Sequence, residues 1–146
     1  MTSPIKLSSR LTHEYWEIPV LFEDDHLLAL DKPARLPASP ERDDPTRPSL
    51  MALLHAGIRA GDPWAQARGL DYLAQAHRLD AETSGALLLA KNKRALITLV
   101  NHLGSEKPAK TFVALVQGAP AKSAFEIVAR LAPDPRQTGQ IGRAHV

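Results

Sequence analysis

Apolar residues fall along this chain in short runs broken by polar turns, with two longer stretches at helical spacing. Ile18-Pro19-Val20-Leu21-Phe22 and His26-Leu27-Leu28-Ala29-Leu30 flank Glu23-Asp24-Asp25, the pattern of two strands joined as a hairpin. Leu50, Leu53, Leu54, Gly57 and Ile58 then recur on one helical face, with Ser49 placed to cap the start and Gly61 to stop the helix. Ala86-Leu87-Leu88-Leu89-Ala90 is an unbroken apolar run that predicts a buried strand. A second helix follows, with Asn92 as its cap, Leu96, Leu99, Val100 and Leu103 as its stripe, and Gly104 at its end. Lys110-Thr111-Phe112-Val113-Ala114-Leu115-Val116 alternates and is rich in β-formers, so a strand is expected there, ending at Gln117-Gly118. Ala124 to Arg130 predicts another strand, and Pro133-Asp134-Pro135 a turn.

The intervening stretches are read by their composition. Residues 1–15 are polar and lack periodicity, which predicts a flexible arm. Pro33 to Pro48 holds five prolines together with Glu41, Arg42, Asp43 and Asp44, so it is neither helix nor inner strand. A surface loop is expected, and its place between two parts of one domain puts it close to a substrate site. Gly61 to Gly69 reads as a loop in which Trp64 packs the first helix down rather than stacking on a base. His55 lies off the apolar stripe and is expected in solvent. Lys91, Lys93 and Arg94 stand at a helix start, where the dipole disfavours cations. That placement is weak support for a phosphate contact, and a solvated face is the favoured reading.

At 146 residues, 44% hydrophobic and 23% charged, the chain has the composition of one soluble globular domain. A formal charge of +2 allows a polyanionic partner without requiring one, because recognition depends on clustered charge more than on net charge. The absence of cysteine excludes disulfides and thiolate metal sites. The first ten residues carry Lys6 and Arg10 but no apolar core of a secretory signal. No apolar run is long enough to cross a bilayer, so the expectation is a cytoplasmic protein with no membrane partner.

The chemistry concentrates in His77-Arg78-Leu79-Asp80-Ala81-Glu82-Thr83-Ser84-Gly85, which runs directly into the apolar strand. A lone Asp80 and Thr83 would ordinarily mean only a turn closed by short polar side chains. The full string, however, resembles the H-R-L-D-x-x-T-S-G signature of the RluA-type RNA pseudouridine synthases, with every fixed position filled and Ala81 and Glu82 in the variable places. Ala90-Lys91-Asn92 after the strand is similar to the family as well. Asp31-Lys32-Pro33 resembles the family's first motif, a strand ending in a Lys-Pro step, but Arg35 stands where a glycine is usual. Lys110-Thr111-Phe112 resembles a Lys-x-Tyr strand, with Phe112 in place of the tyrosine.

The resemblance implies an α+β fold, a mixed and largely antiparallel sheet with packed helices. It implies isomerisation of uridine to pseudouridine in ribosomal or transfer RNA, with no cofactor and no metal. Asp80 would be the catalytic residue, as a nucleophile or as an electrostatic partner during glycosidic cleavage. The cation that keeps it ionised would come from a region beyond the matched motifs. Arg78 is expected to meet RNA, by a phosphate or by filling the gap left by an extruded uridine, and to be a poor partner for Asp80 across an extended segment. Phe112 would stack on the uracil but lacks the phenolic hydroxyl that helps remove the C5 proton in the family. His77, sharing a face with Leu79, is expected to be structural; Thr83 and Ser84 would fix the turn, Lys32 and Pro33 would shape the pocket floor, and Lys110 would be structural or phosphate-facing.

Gly142-Arg143-Ala144-His145 resembles the family's third motif but falls too soon after the preceding one. Ile141 to Val146 also reads, in one frame, as a translated sequencing adapter. The organisation expected is therefore a flexible arm over residues 1–15, a partial catalytic domain over 16–140 and a non-native tail over 141–146. The alternative is a non-catalytic RNA-binding module on the same scaffold, favoured by Phe112 and by the expected lack of the domain's C-terminal part. A hydrolase pairing Asp80 with His77 is disfavoured because the two fall on opposite faces.

Overall fold

Ile5-Lys6-Leu7-Ser8 alternates apolar and polar, and in the computed structural model it is a strand rather than a loose arm. The residues described are 3–41, 44, 46–105, 108–128, 131–133 and 141–143. Strand β1 (Ile5–Ser8) pairs antiparallel with β2 (Tyr15–Ile18), and Ile5, Leu7 and Ile18 are buried. The alternation is short, but burying one face of it is enough to order the segment.

Strands β3 (Val20–Glu23) and β4 (Leu27–Lys32) form the expected hairpin, although Ile18 belongs to β2. Asp24 closes the turn by accepting from the amides of His26 and Leu27, both at 2.7 Å. The His26 bond, then the Leu27 bond, hold its carboxyl below the usual carboxylate range. The register shifts between Val20 and Phe22, which leaves Leu21 and Phe22 exposed on an edge strand.

The four-stranded sheet has the order β3-β4-β6-β5, where β5 is Ala74–Gln75 and β6 is Gly85–Ala90. Leu28 faces Leu89 and Leu30 faces Leu87 across the central pair, and all four are fully buried. These cross-strand leucines form the middle of the core, completed by Leu36, Leu50, Leu54, Leu70 and Leu73.

Helix α1 (Leu50–Ala60) starts at Ser49, whose hydroxyl accepts from the Ala52 amide, and stops at Gly61 at φ 69°. Its first amides also find partners, Leu50 on the Pro37 carbonyl at 2.8 Å and Met51 on that of Ala38 at 3.1 Å. The 61–69 stretch is not all loop: α2 (Pro63–Gln66) is a single turn with proline at its first position. Trp64 is buried within it, as expected, and packs so closely on Gly57 that a Cβ there would meet its ring at 2.5 Å. His55 is exposed, and its Nε2 lies 2.8 Å from the Leu73 carbonyl, to which it donates.

Helix α3 (Lys93–Ser105) begins at Asn92, whose side chain accepts from the Ala95 amide at 2.8 Å, and continues through Gly104. It packs against β5 and β6. Lys91, just before it, is not a solvated cation. It pairs with Glu23 at 3.2 Å while Arg68 pairs with the same carboxylate at 3.0 Å, so three half-sunk charges join β3, the α2 region and the end of β6.

The chain divides into two units, Met1–Ala109 and Lys110–Val146. In the second, β7 (Leu131–Pro133) pairs antiparallel with β8 (Ile141–Arg143). The strand expected over Lys110–Val116 is absent: these residues are coil, with Val113 and Leu115 fully exposed. Alternation and β propensity hold a strand only when a neighbour takes its backbone groups, and no ladder is formed here. Ala124–Val128 is likewise coil, whereas Ala129, Arg130, Asp134, Pro135, Ala144 and His145 lie outside the described residues. The fold class is α+β as expected, and every strand pairing among the described residues is antiparallel.

Candidate active site

The motif residues His77 to Ser84 connect β5 to β6 on the surface of the first unit. Asp80 and Thr83 bracket a tight turn, the Thr83 amide donating to the Asp80 carbonyl at 3.1 Å. The Asp80 side chain is exposed, and its carboxylate has no hydrogen bond or ion pair among the described residues.

What holds this turn is the chain around Lys32. Lys32 ends β4 opposite Gly85 and is fully buried. Its Nζ donates to the carbonyls of Pro33 at 2.9 Å, Leu36 at 2.8 Å and Ala81 at 3.2 Å. All three ammonium protons are therefore used, which is what lets a lysine sit inside a core at all. Burial pushes this ammonium below its ordinary value, the carboxylates of Glu82 and Asp80 pull it back up, and Arg47 adds a small lowering. A second bond reaches the same acceptor, the Arg35 amide donating to the Ala81 carbonyl at 2.7 Å. The residue after Asp80 is thus pinned twice.

The proline-rich loop, expected on the surface and near the site, is only partly exposed. Leu36, Pro37 and Ala38 are buried because Lys32 draws the loop inward, while its carbonyls go on to cap α1. Its contact with Ala81 does bring it against the Asp80 turn. Lys32 is accordingly a strut under the turn rather than part of an open pocket floor.

His77 also has a structural placement. The Leu88 amide donates to its Nε2 at 3.0 Å, which fastens the motif onto β6 and makes that nitrogen an acceptor. Arg78 requires a correction. It stands two residues before Asp80, so along an extended segment the two share a face, and both are exposed while His77 and Leu79 are half-buried. No hydrogen bond or ion pair joins them. Phe112 lies in the second unit and is 62% exposed. Two clefts, of about 450 and 480 Å³, are lined by neither Asp80 nor Arg78. Among the described residues no helix is long and apolar enough to cross a membrane.

The site is thus a carboxylate on a pinned turn between β5 and β6, with the motif order intact. Residues 26–146 match the family model described as RNA pseudouridylate synthase. The chain belongs to that family. Among curated relatives of the pseudouridylate synthases, the ribosomal large subunit pseudouridine synthase C of Rickettsia prowazekii is 28% identical over 94% of this chain and 40% of its own length. The ribosomal large subunit pseudouridine synthase D of Xanthomonas campestris is 36% identical over 68% of this chain and 28% of its own. An RNA pseudouridine synthase of Bacillus subtilis is 32% identical over 76% of this chain and 34% of its own. The solved structure of human RNA pseudouridylate synthase domain containing 4 aligns with 60% of this chain and 30% of that one, at 22% identity and a TM-score of 0.46. The chain spans at most 40% of the length of these curated relatives.

Proposed function

We infer that this chain carries the aspartate-bearing part of an RNA pseudouridine synthase, and that Asp80 is its catalytic residue. The observation that carries this reading is the Asp80 turn itself. An exposed carboxylate without a partner among the described residues sits on a loop that a buried lysine and a backbone bond fix in place. A purely structural aspartate would be expected to spend its oxygens on its own turn, as Asp24 does. An immobilised but unspent carboxylate is suited to engage a reacting group.

The reaction is an isomerisation. The C1′–N1 bond of uridine breaks, the uracil rotates, a C1′–C5 bond forms, the C5 proton leaves and N1 gains a proton. Asp80 acts as nucleophile or as electrostatic partner in the first step. Arg78, on the same exposed side, takes a phosphate or occupies the space vacated by the extruded base. Phe112 offers a ring for stacking on the uracil without a hydroxyl to serve the C5 proton. The substrate is ribosomal or transfer RNA, and the similarity to ribosomal large subunit pseudouridine synthases favours ribosomal RNA.

The second reading, an RNA-binding module without turnover, is favoured by Phe112 alone. The two separate in one experiment. The gene product, recovered at full length from source DNA, is incubated with transcripts of ribosomal RNA, which are then digested to nucleosides and separated by chromatography. Pseudouridine at one position supports the synthase. RNA binding without any pseudouridine supports the module.

A further inference from the structure

Arg35 has a backbone conformation that does not suit it. Its φ is 68°, in the left-handed region where a side chain is disfavoured and glycine is at ease. The surroundings enforce that conformation from both sides: the Arg35 amide donates to Ala81 at 2.7 Å, and its carbonyl accepts from Arg47 Nη2 at 2.9 Å. A glycine would make both bonds equally well, since both use only backbone atoms. The guanidinium itself does nothing for the fold. It is exposed, and it has no hydrogen bond or ion pair among the described residues. Its neighbours differ in this respect, for Lys32 is fully engaged and Arg47 is paired with Glu41 at 3.0 Å.

A disfavoured conformation kept for an unused side chain is a mark of function. Here the strained residue lies one backbone hydrogen bond from the residue after Asp80. We propose that Arg35 binds a phosphate of the RNA strand that carries the target uridine, a contact that a glycine at this position would lack. Its planar fork suits two phosphate oxygens at once. With Arg78 on the motif itself, it gives the Asp80 turn two uncommitted cations. The inference rests on the synthase reading for its choice of RNA as the ligand.

The test is binding of this chain to a uridine-containing single-stranded RNA oligonucleotide, by fluorescence anisotropy across a salt series, with Arg35→Gly and Arg35→Lys beside wild type. A urea melt of each confirms folding, and Arg35→Gly is expected to fold at least as well as wild type. It should nevertheless bind about five- to tenfold more weakly at low salt. Its slope of log affinity against log salt should be shallower by about 0.7, the value of one phosphate on a single strand. Arg35→Lys should keep the wild-type slope. Equal affinity and slope for Arg35→Gly and wild type would overturn the Arg35 contact while leaving the synthase reading intact. Absence of RNA binding by wild type would overturn the contact and the RNA reading together.

Discussion

Lys32 Nζ lies 3.2 Å from the Ala81 carbonyl oxygen, so a fully buried cation at the end of β4 is bonded to the residue that follows Asp80. The Lys-Pro step and the aspartate motif, far apart in sequence, are one structural unit. Removing the cation should show it. In Lys32→Met the cost of burying a charge disappears, but the Pro33 and Leu36 carbonyls lose their donor, that of Ala81 keeps only the Arg35 amide, and unmet acceptors weigh more. The expected loss is about 2–4 kcal/mol of unfolding free energy, read from urea melts.

The same group sets a pH dependence. Burial lowers the Lys32 pKa in the folded chain below its ordinary value of 10.5. Between the folded and unfolded values the unfolded chain holds more protons, so this contribution to stability grows as pH rises and is complete above the unfolded pKa. It is lost as pH falls through the folded pKa. The gap in unfolding free energy between wild type and Lys32→Met should therefore widen as pH rises toward the ordinary lysine value of 10.5 and level off above it. A constant gap would show that the ammonium is not desolvated.

Arg35→Gly should stabilise the fold. Relief of a left-handed non-glycine residue is worth about 1–2 kcal/mol, and the added freedom of the unfolded chain returns part of it. The expected net gain is about 0.5–1 kcal/mol, measured by the shift of the urea midpoint.

Gly57→Ala should go the other way, although alanine is the better helix former by about 1 kcal/mol. The new Cβ would lie 2.5 Å from the Trp64 ring and 2.7 Å from Asp62 Oδ2, so α1 and α2 must part. A loss of about 1–3 kcal/mol is expected, with a change in Trp64 fluorescence.

Much of this fold is legible in the sequence where a local signal coincides with the tertiary outcome. The caps Ser49 and Asn92, the Gly61 stop and the β3–β4 hairpin each have a side chain or turn that acts within a few residues. Strand β1 escapes the sequence reading because the alternation of Ile5 and Leu7 is only two apolar positions long, and α2 escapes it because a single turn after Asp62-Pro63 is too short for periodicity. Lys110–Val116 went wrong for the opposite reason, because its pattern is strong but its strand depends on a partner that sequence does not name. At the site, the motif marks Asp80 by resemblance alone. The buried state of Lys32 and the left-handed Arg35 each depend in part on the distant Ala81 carbonyl, and no local pattern announces either. The glycine expected at position 35 acquires its physical reason only from the observed φ.

In the proposed reaction Asp80 does chemistry on uridine. The most direct test is tritium release from C5-labelled uridine in RNA by the full-length gene product, wild type beside Asp80→Asn, with RNA binding and folding measured in both. Release is expected from wild type, and none from an Asp80→Asn protein that still folds and still binds RNA. Release by Asp80→Asn at the wild-type rate would contradict that role.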